Sequence, residues 1–225
     1  MNPEDDELLP LAQKENIPVF RGDEANVLSR FYGAAKSYQL DRIVRITADC
    51  PCIDPVIVDR IVSEHILYDA DYTSNSVVRS WPHGLDTEVF EMKALEKAFQ
   101  EAKEPYEKEH VTPYFYNNPS VFRVKNIQAP KNEFAPEIRI TLDREEDYAL
   151  LCIVYDSLYR ANPVFGVGEI LSLFREKPWL GLINQHVAQK KRFESLQEEK
   201  EAALQTLRLQ ELNNAARFLK DHWTI

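Results

Sequence analysis

Two aspartates stand at the ends of apolar runs, Asp49 in Val44-Arg-Ile-Thr-Ala-Asp-Cys-Pro51 and Asp143 in Ile140-Thr-Leu-Asp143. In a parallel sheet the carboxyl ends of the strands open into the ligand crevice. A carboxylate just past a strand can hold a divalent cation or act as a base there. Each aspartate also has a structural alternative. Asp49 can bond loop amides in an Asx-type turn. Asp143, with Glu146 three residues on, matches a capping box at a helix start. The two roles are compatible, because a carboxylate has two oxygens. Asp86 and Glu88 stand two apart in Gly84-Leu-Asp-Thr-Glu-Val-Phe90 and share one side of an extended segment. They could bind sugar hydroxyls there or form the solvent face of an edge strand. His110, in Glu109-His-Val-Thr-Pro113, is flanked by an acid and followed by a helix-interrupting proline. It is a better chemical candidate than His65, which sits on an apolar helix and reads as structural. Cys50-Pro-Cys52 has no second cysteine pair, so a zinc site is not indicated.

Alternating elements must position these groups. Asp5 to Asn16 reads as a short helix containing Pro10, and Ile17 to Phe20 as a short strand. After Arg21-Gly-Asp-Glu24, Asp23 is placed to cap a helix whose Val27, Leu28, Phe31, Ala34 and Ala35 repeat at helical spacing. Arg42 to Thr47 is rich in β-branched residues and predicts a strand. Asp54-Pro55 is a cap followed by proline at the first helical position, ahead of a helix over 56–68. Further strands are expected at 71–74, 87–91, 121–126 and 137–142, and helices at 93–102, 107–116 and 145–160. Strand–helix–strand order at this spacing implies an α/β fold with a largely parallel sheet covered on both faces. Residues 1–184 form that domain. From Gln185 to Trp223 there is no proline or glycine, which predicts a helical extension over 185–225, as one long helix or two. Leu204, Leu207, Leu212, Ala215, Leu219 and Trp223 fall on one stripe, which is expected to pack on the domain or on a second copy in a homodimer.

The composition excludes several classes. The 225 residues carry a net charge of −10, which disfavours non-specific binding to nucleic acid or to an anionic membrane. Residues 185–225 hold seven basic and six acidic side chains, so the acidity belongs to the α/β part. Three cysteines make no disulfide framework and suit a reducing, cytoplasmic setting. No apolar run approaches the ~20 residues of a membrane span. The acidic N-terminus lacks the features of a signal peptide. Only six glycines are present, with no GxxxxGK[ST] and no GxGxxG, so a glycine-loop phosphate cradle is not to be found in this sequence.

Taken together, Val19-Phe-Arg-Gly-Asp-Glu-Ala-Asn-Val-Leu-Ser-Arg30, Val44–Pro51, Gly84–Phe90, Glu109–Pro113 and Ile140–Asp143 resemble, in order and approximate spacing, the cytidylyltransferases of the spore-coat polysaccharide type. These are relatives of the acylneuraminate and ketodeoxyoctonate CMP-sugar synthetases. The resemblance runs from about Asn2 to about Lys191. It implies a three-layer fold of the nucleotide-diphospho-sugar transferase type. It also implies a reaction in which a sugar acid's hydroxyl attacks the α-phosphate of CTP, giving a CMP-sugar and pyrophosphate. Magnesium would supply charge neutralisation, held by Asp49 and Asp143. Arg21, Asp86, Glu88, Glu109 and His110 would lie on the substrate side.

One departure accompanies the resemblance. The family's first strand and its loop, roughly Gln-Ala-Arg-x-x-Ser-x-Arg-Leu-Pro-x-Lys, have no counterpart here. The sequence therefore reads as N-terminally truncated, without the part that grips the triphosphate, and impaired activity is expected of it. Two rivals stand beside this reading. One is a non-catalytic module that binds a sugar or a partner. The other is a sugar-nucleotide glycosyltransferase using Asp69-Ala-Asp71, which has the DxD form such enzymes use for a divalent ion but lies between a helix end and a strand start.

Overall fold

In the computed structural model, residues 3–187 and 195–223 are described. They form two units, Met1–His186 and Val187–Ile225. The first unit is built around a four-stranded sheet. Its strands are β1 (Arg42–Arg45), β2 (Tyr72–Ser74), β3 (Glu88–Glu91) and β4 (Val124–Asn126), in the spatial order β1-β3-β2-β4. β3 pairs antiparallel with both β1 and β2, while β2 and β4 are parallel. Three strands therefore run one way and the inserted β3 runs against them. The expected largely parallel sheet is a mixed one, with antiparallel pairing at its centre.

Side-chain alternation along β3 divides two cores. Val89 faces one layer with Ile57, Ile61, Leu150, Val154 and Ile170. These come from α3 (Pro55–Tyr68), α7 (Glu145–Leu158) and α8 (Val167–Glu176). Phe90 faces the other layer with Leu28, Ala35, Leu95 and Phe115. These come from α2 (Val27–Ser37), α4 (Met92–Glu101) and α6 (Pro113–Tyr116). The result is the three-layer α/β arrangement. Two further helices are α1 (Leu8–Lys14), with no buried residue, and α5 (Pro105–His110).

Asp54 is the principal joint of the first layer. Its Oδ1 accepts from the N–H of Val56 and of Ile57, capping α3. Its Oδ2 accepts from the N–H of Val167, the first residue of α8, at 2.8 Å. One buried carboxylate thus satisfies orphan donors of two helices. The residue before α8 is Gly166, its N-cap, whose absent Cβ would lie 2.5 Å from that same Oδ2.

Several expectations are corrected. Ile17–Phe20 is extended but pairs with no strand. Residues 137–142 contribute only a single parallel bridge, His83 with Arg139. The cap of α2 is Asn26, which accepts from Ser29 N, while Asp23 accepts from Asn26 N. The 107–116 helix is two short ones, broken at Val111 with φ +71°.

The second unit is a hairpin of α9 (Leu196–Leu209) and α10 (Asn213–His222), turned through Glu211 at φ +58°. Ala216, not Ala215, is buried in it, and Leu212 stays exposed. Of the expected extension, residues 188–194 lie outside the described part. Among the described residues no helix is long and apolar enough to cross a membrane.

Candidate functional site

Asp49 lies four residues beyond the carboxyl end of β1, and its backbone carbonyl is the point where two loops are zipped together. The Leu142 N–H donates to it at 2.8 Å and the Thr141 hydroxyl at 2.9 Å. The loop of Asp49 is thereby fixed directly against the residue preceding Asp143. Asp49 and Asp143 thus belong to adjoining loops. The Asp49 carboxylate is half-buried, and its only described side-chain bond is a weak one, from the Cys50 thiol at 3.6 Å. Burial and the nearby carboxylates of Asp86 and Asp49 push that thiol up to about 11, against a lowering bond from Thr47. Cys50 is therefore a neutral packing residue here.

Asp143 is not the cap of α7. The N–H groups of Asp143 and Arg144 both donate to Asp147 Oδ2, at 3.1 Å each. Asp147 carries the capping role expected of Glu146, which is exposed. The Asp143 side chain is left 47% exposed, with Oδ2 accepting from the Arg139 guanidinium at 2.6 Å. Its Oδ1 has no partner among the described residues. Leu142, Asp143, Arg144, Glu145 and Tyr148 line an open depression of about 420 Å³.

Behind Asp143 lies a polar network that has no apolar seam. Arg139 donates through Nε to Asp147 Oδ1 at 2.9 Å and through a terminal nitrogen to Oδ2 at 2.8 Å. Asn184 Nδ2 donates to Asp147 Oδ1 and to the Arg139 carbonyl. Burial alone would raise the Asp147 pKa. The bonds from Arg139, Asn184 and the Asp143 backbone outweigh it and hold the carboxyl down at about 2. Arg139 also lies 3.3 Å from His83 Nδ1. His83 is pushed below its ordinary value, chiefly by burial and then by Arg79. Beyond it, Arg79 grips Asp86 with both terminal nitrogens.

The other expected site residues are distributed differently. Glu88 does not work as a pair with Asp86. It is buried on β3, held by Arg45 and by the Tyr72 hydroxyl at 2.6 Å. The Tyr72 phenol is raised by burial and by Glu88, so it stays a donor. Glu109 and His110 are exposed on α5 and make no side-chain hydrogen bond or ion pair among the described residues; His110 stacks obliquely on Tyr106. Arg21 pairs with Asp6 in a separate groove of about 380 Å³ near Phe20 and Arg30. His65 is structural, bridging Thr73 and Glu91 at 2.9 Å each. Asp69 closes α3 in the left-handed conformation, and Arg123 binds both Asp69 and Asp71. The DxD pair is thus occupied by a guanidinium, whose hydrogen bonds depress Asp71.

The donor set at Asp49 and Asp143 is two hard carboxylates with open oxygens, which fits a magnesium-like cation. Among the described residues no three or more His, Cys, Asp or Glu side chains converge on a cation position. A site with two protein ligands suits magnesium, which usually keeps several waters or phosphate oxygens in its coordination sphere.

Residues 5–205 match the family model described as cytidylyltransferase. The chain belongs to the cytidylyltransferase family. Relatives include an uncharacterised protein of Methanocaldococcus jannaschii, 37% identical over 83% of this chain and 75% of that protein. Another is the spore coat polysaccharide biosynthesis protein SpsF of Bacillus subtilis, 32% identical over 73% of this chain and 68% of that protein. Among solved structures, a cytidylyltransferase from Leptospira borgpetersenii matches with a TM-score of 0.75 and 28% identity. It covers 86% of this chain and 78% of the other. Membership in this family gives nucleotidyl transfer as the reaction class.

Proposed function

We propose that the chain transfers CMP from CTP to a sugar acid in polysaccharide biosynthesis, with magnesium held by Asp49 and Asp143. The observation that carries this is the joint at the Asp49 carbonyl. It ties the loop of Asp49 to the residue before Asp143, and this supports reading the two carboxylates as one site. The named relative in spore coat polysaccharide biosynthesis supports the pathway class. The bound cation would neutralise charge on the triphosphate and the departing pyrophosphate. The chain's residues would orient the acceptor. Asp86, held by Arg79, would accept from a sugar hydroxyl. Glu88 acts from within, holding Arg45 on β1.

Turnover by this sequence is expected to be slow. Arg21, Arg45, Arg79 and Arg139 are each committed to a carboxylate. Arg144, in the depression beside Asp143, is the cation best placed for a phosphate. Positioning of reacting groups supplies roughly 7–11 kcal/mol of catalysis, and few cations here serve it. The test is pyrophosphate release with CTP, magnesium and a panel of acidic sugars, with Asp49→Asn and Asp143→Asn alongside. Release that depends on CTP, on an acidic sugar and on both aspartates is the expected result, at well under about 1 s⁻¹. Release unaffected by either substitution would remove the two aspartates from the chemistry. Sugar transfer from a nucleotide-sugar donor, lost on Asp71→Asn, would replace this reading with the glycosyltransferase one.

A further inference from the structure

Arg139 does not itself line the open depression, yet its side chain contacts Asp143, Asp147 and His83 at once. We propose that Arg139 is a positioning residue for the cation site: by holding Oδ2 of Asp143 it fixes that carboxylate and leaves Oδ1 as the ligand oxygen. This rests on the reading of Asp143 as a cation ligand.

The folded structure does not need the Arg139–Asp143 contact for charge balance. Asp147 alone meets the guanidinium through two bonds and caps α7 as well. Asp143 is nearly half exposed, so water could satisfy it, and an exposed ion pair ordinarily stabilises little. What distinguishes this pair is the rigidity of one partner. The guanidinium is 8% exposed, planar, and clamped by Asp147, which is itself completely buried. Asn184 ties Asp147 to the Arg139 backbone carbonyl, closing the frame.

Asp143 is therefore fixed twice to one rigid body. Its N–H binds Asp147 Oδ2 and its carboxylate binds Arg139. The torsions between backbone and carboxylate lose most of their freedom before any cation arrives. Partners behind a metal ligand act in this way, and losing one typically weakens metal binding about 10–100-fold. The contact of Arg139 with His83 extends the frame to the loop of Asp86, so one guanidinium sets the register of two site loops.

The probe is Mn²⁺, followed by the loss of its free-ion EPR signal, with thermal melts on every protein. Asp143→Ala tests the underlying reading and should abolish tight Mn²⁺ binding. Arg139→Lys keeps the charge but not the fork, and should weaken Mn²⁺ binding at least about tenfold while the protein remains folded. If Arg139→Lys does not fold, the double variant Arg139→Met/Asp147→Leu removes the buried pair together and avoids an isolated buried charge. It should show the same weakening. Binding lost in Asp143→Ala but unchanged in a folded Arg139 variant would overturn the positioning role alone. Binding unchanged in Asp143→Ala would overturn the ligand reading, and the positioning role with it.

Discussion

Gly84→Ala should be among the most damaging single changes to the site loop. Gly84 has φ +115°, a conformation L side chains rarely adopt. An added Cβ would lie 2.6 Å from the Ile140 carbonyl oxygen, 2.7 Å from its carbon and 2.9 Å from Thr141 N. All three are backbone atoms, so no rotamer change relieves the contact. Relief requires separating the 82–85 loop from residues 138–141, which are joined by His83 N to Ile138 O at 2.8 Å and Ile140 N to His83 O at 2.7 Å. The unfavourable backbone conformation costs about 1–3 kcal/mol. Each strained or broken hydrogen bond adds about 1 kcal/mol. A total of about 3–5 kcal/mol corresponds to a fall of roughly 6–20 °C in melting temperature for a domain of this size. Circular dichroism melts and urea titrations of the parent and the variant measure it. A melting temperature within about 2 °C of the parent would refute the close-approach argument. The same displacement moves Thr141 and Leu142, which hold the Asp49 carbonyl, so Mn²⁺ binding should weaken in parallel with stability.

Gly166→Ala should cost about 1–2 kcal/mol, because its Cβ would strike Asp54 Oδ2 and loosen the cap of α8. Gly168→Ala, with nothing within 4 Å of its Cβ, should instead gain about 0.5–1 kcal/mol from helix propensity; urea midpoints of the pair check both signs. Acid should act through Asp147. Its folded pKa of about 2 lies below the ordinary carboxyl value, so its contribution of about 2 kcal/mol is fully present above the unfolded pKa and is lost as pH falls through the folded one. Between about pH 5 and 2 the parent should therefore lose more stability than Asp147→Asn, and parallel urea-midpoint profiles would contradict this.

The strand before Asp49 was legible because a β-branched run followed by a polar loop marks a strand end without knowledge of pairing. Strand order was not legible. The run Glu88–Glu91 has the same β-branched and aromatic character whichever way it runs, and its direction is set by neighbours distant in sequence. Residues 137–142 read as a strand, yet their donors go to His83 and to the Asp49 carbonyl instead of to a ladder. The sequence predicts no helix over α8, because Gly166 and Gly168 are weak helix formers. Glu169, accepting from Gly166 N, was the available signal for a helix start. Asp147 looked like one more acid in a helix's first turn. Its partners Arg139 and Asn184 are separated from each other by 45 positions, so the frame behind Asp143 exists only once the chain has folded.

The place of β3 in the sheet also sets an order of events at the ribosome. β1 and β2 leave the exit tunnel before β3, and they share no backbone bond with each other. Until Glu91 has emerged, their facing edges have nothing to pair with, and Ile43 and Tyr72, buried in the finished protein, have only part of their eventual surroundings. Pairing then occurs by insertion of a late strand between two earlier ones, a non-local step slower than closing a hairpin. The nascent chain of this protein should thus expose unpaired strand edges during one definable interval of its synthesis, and a translation pause while β2 but not β3 has left the tunnel should lengthen that interval.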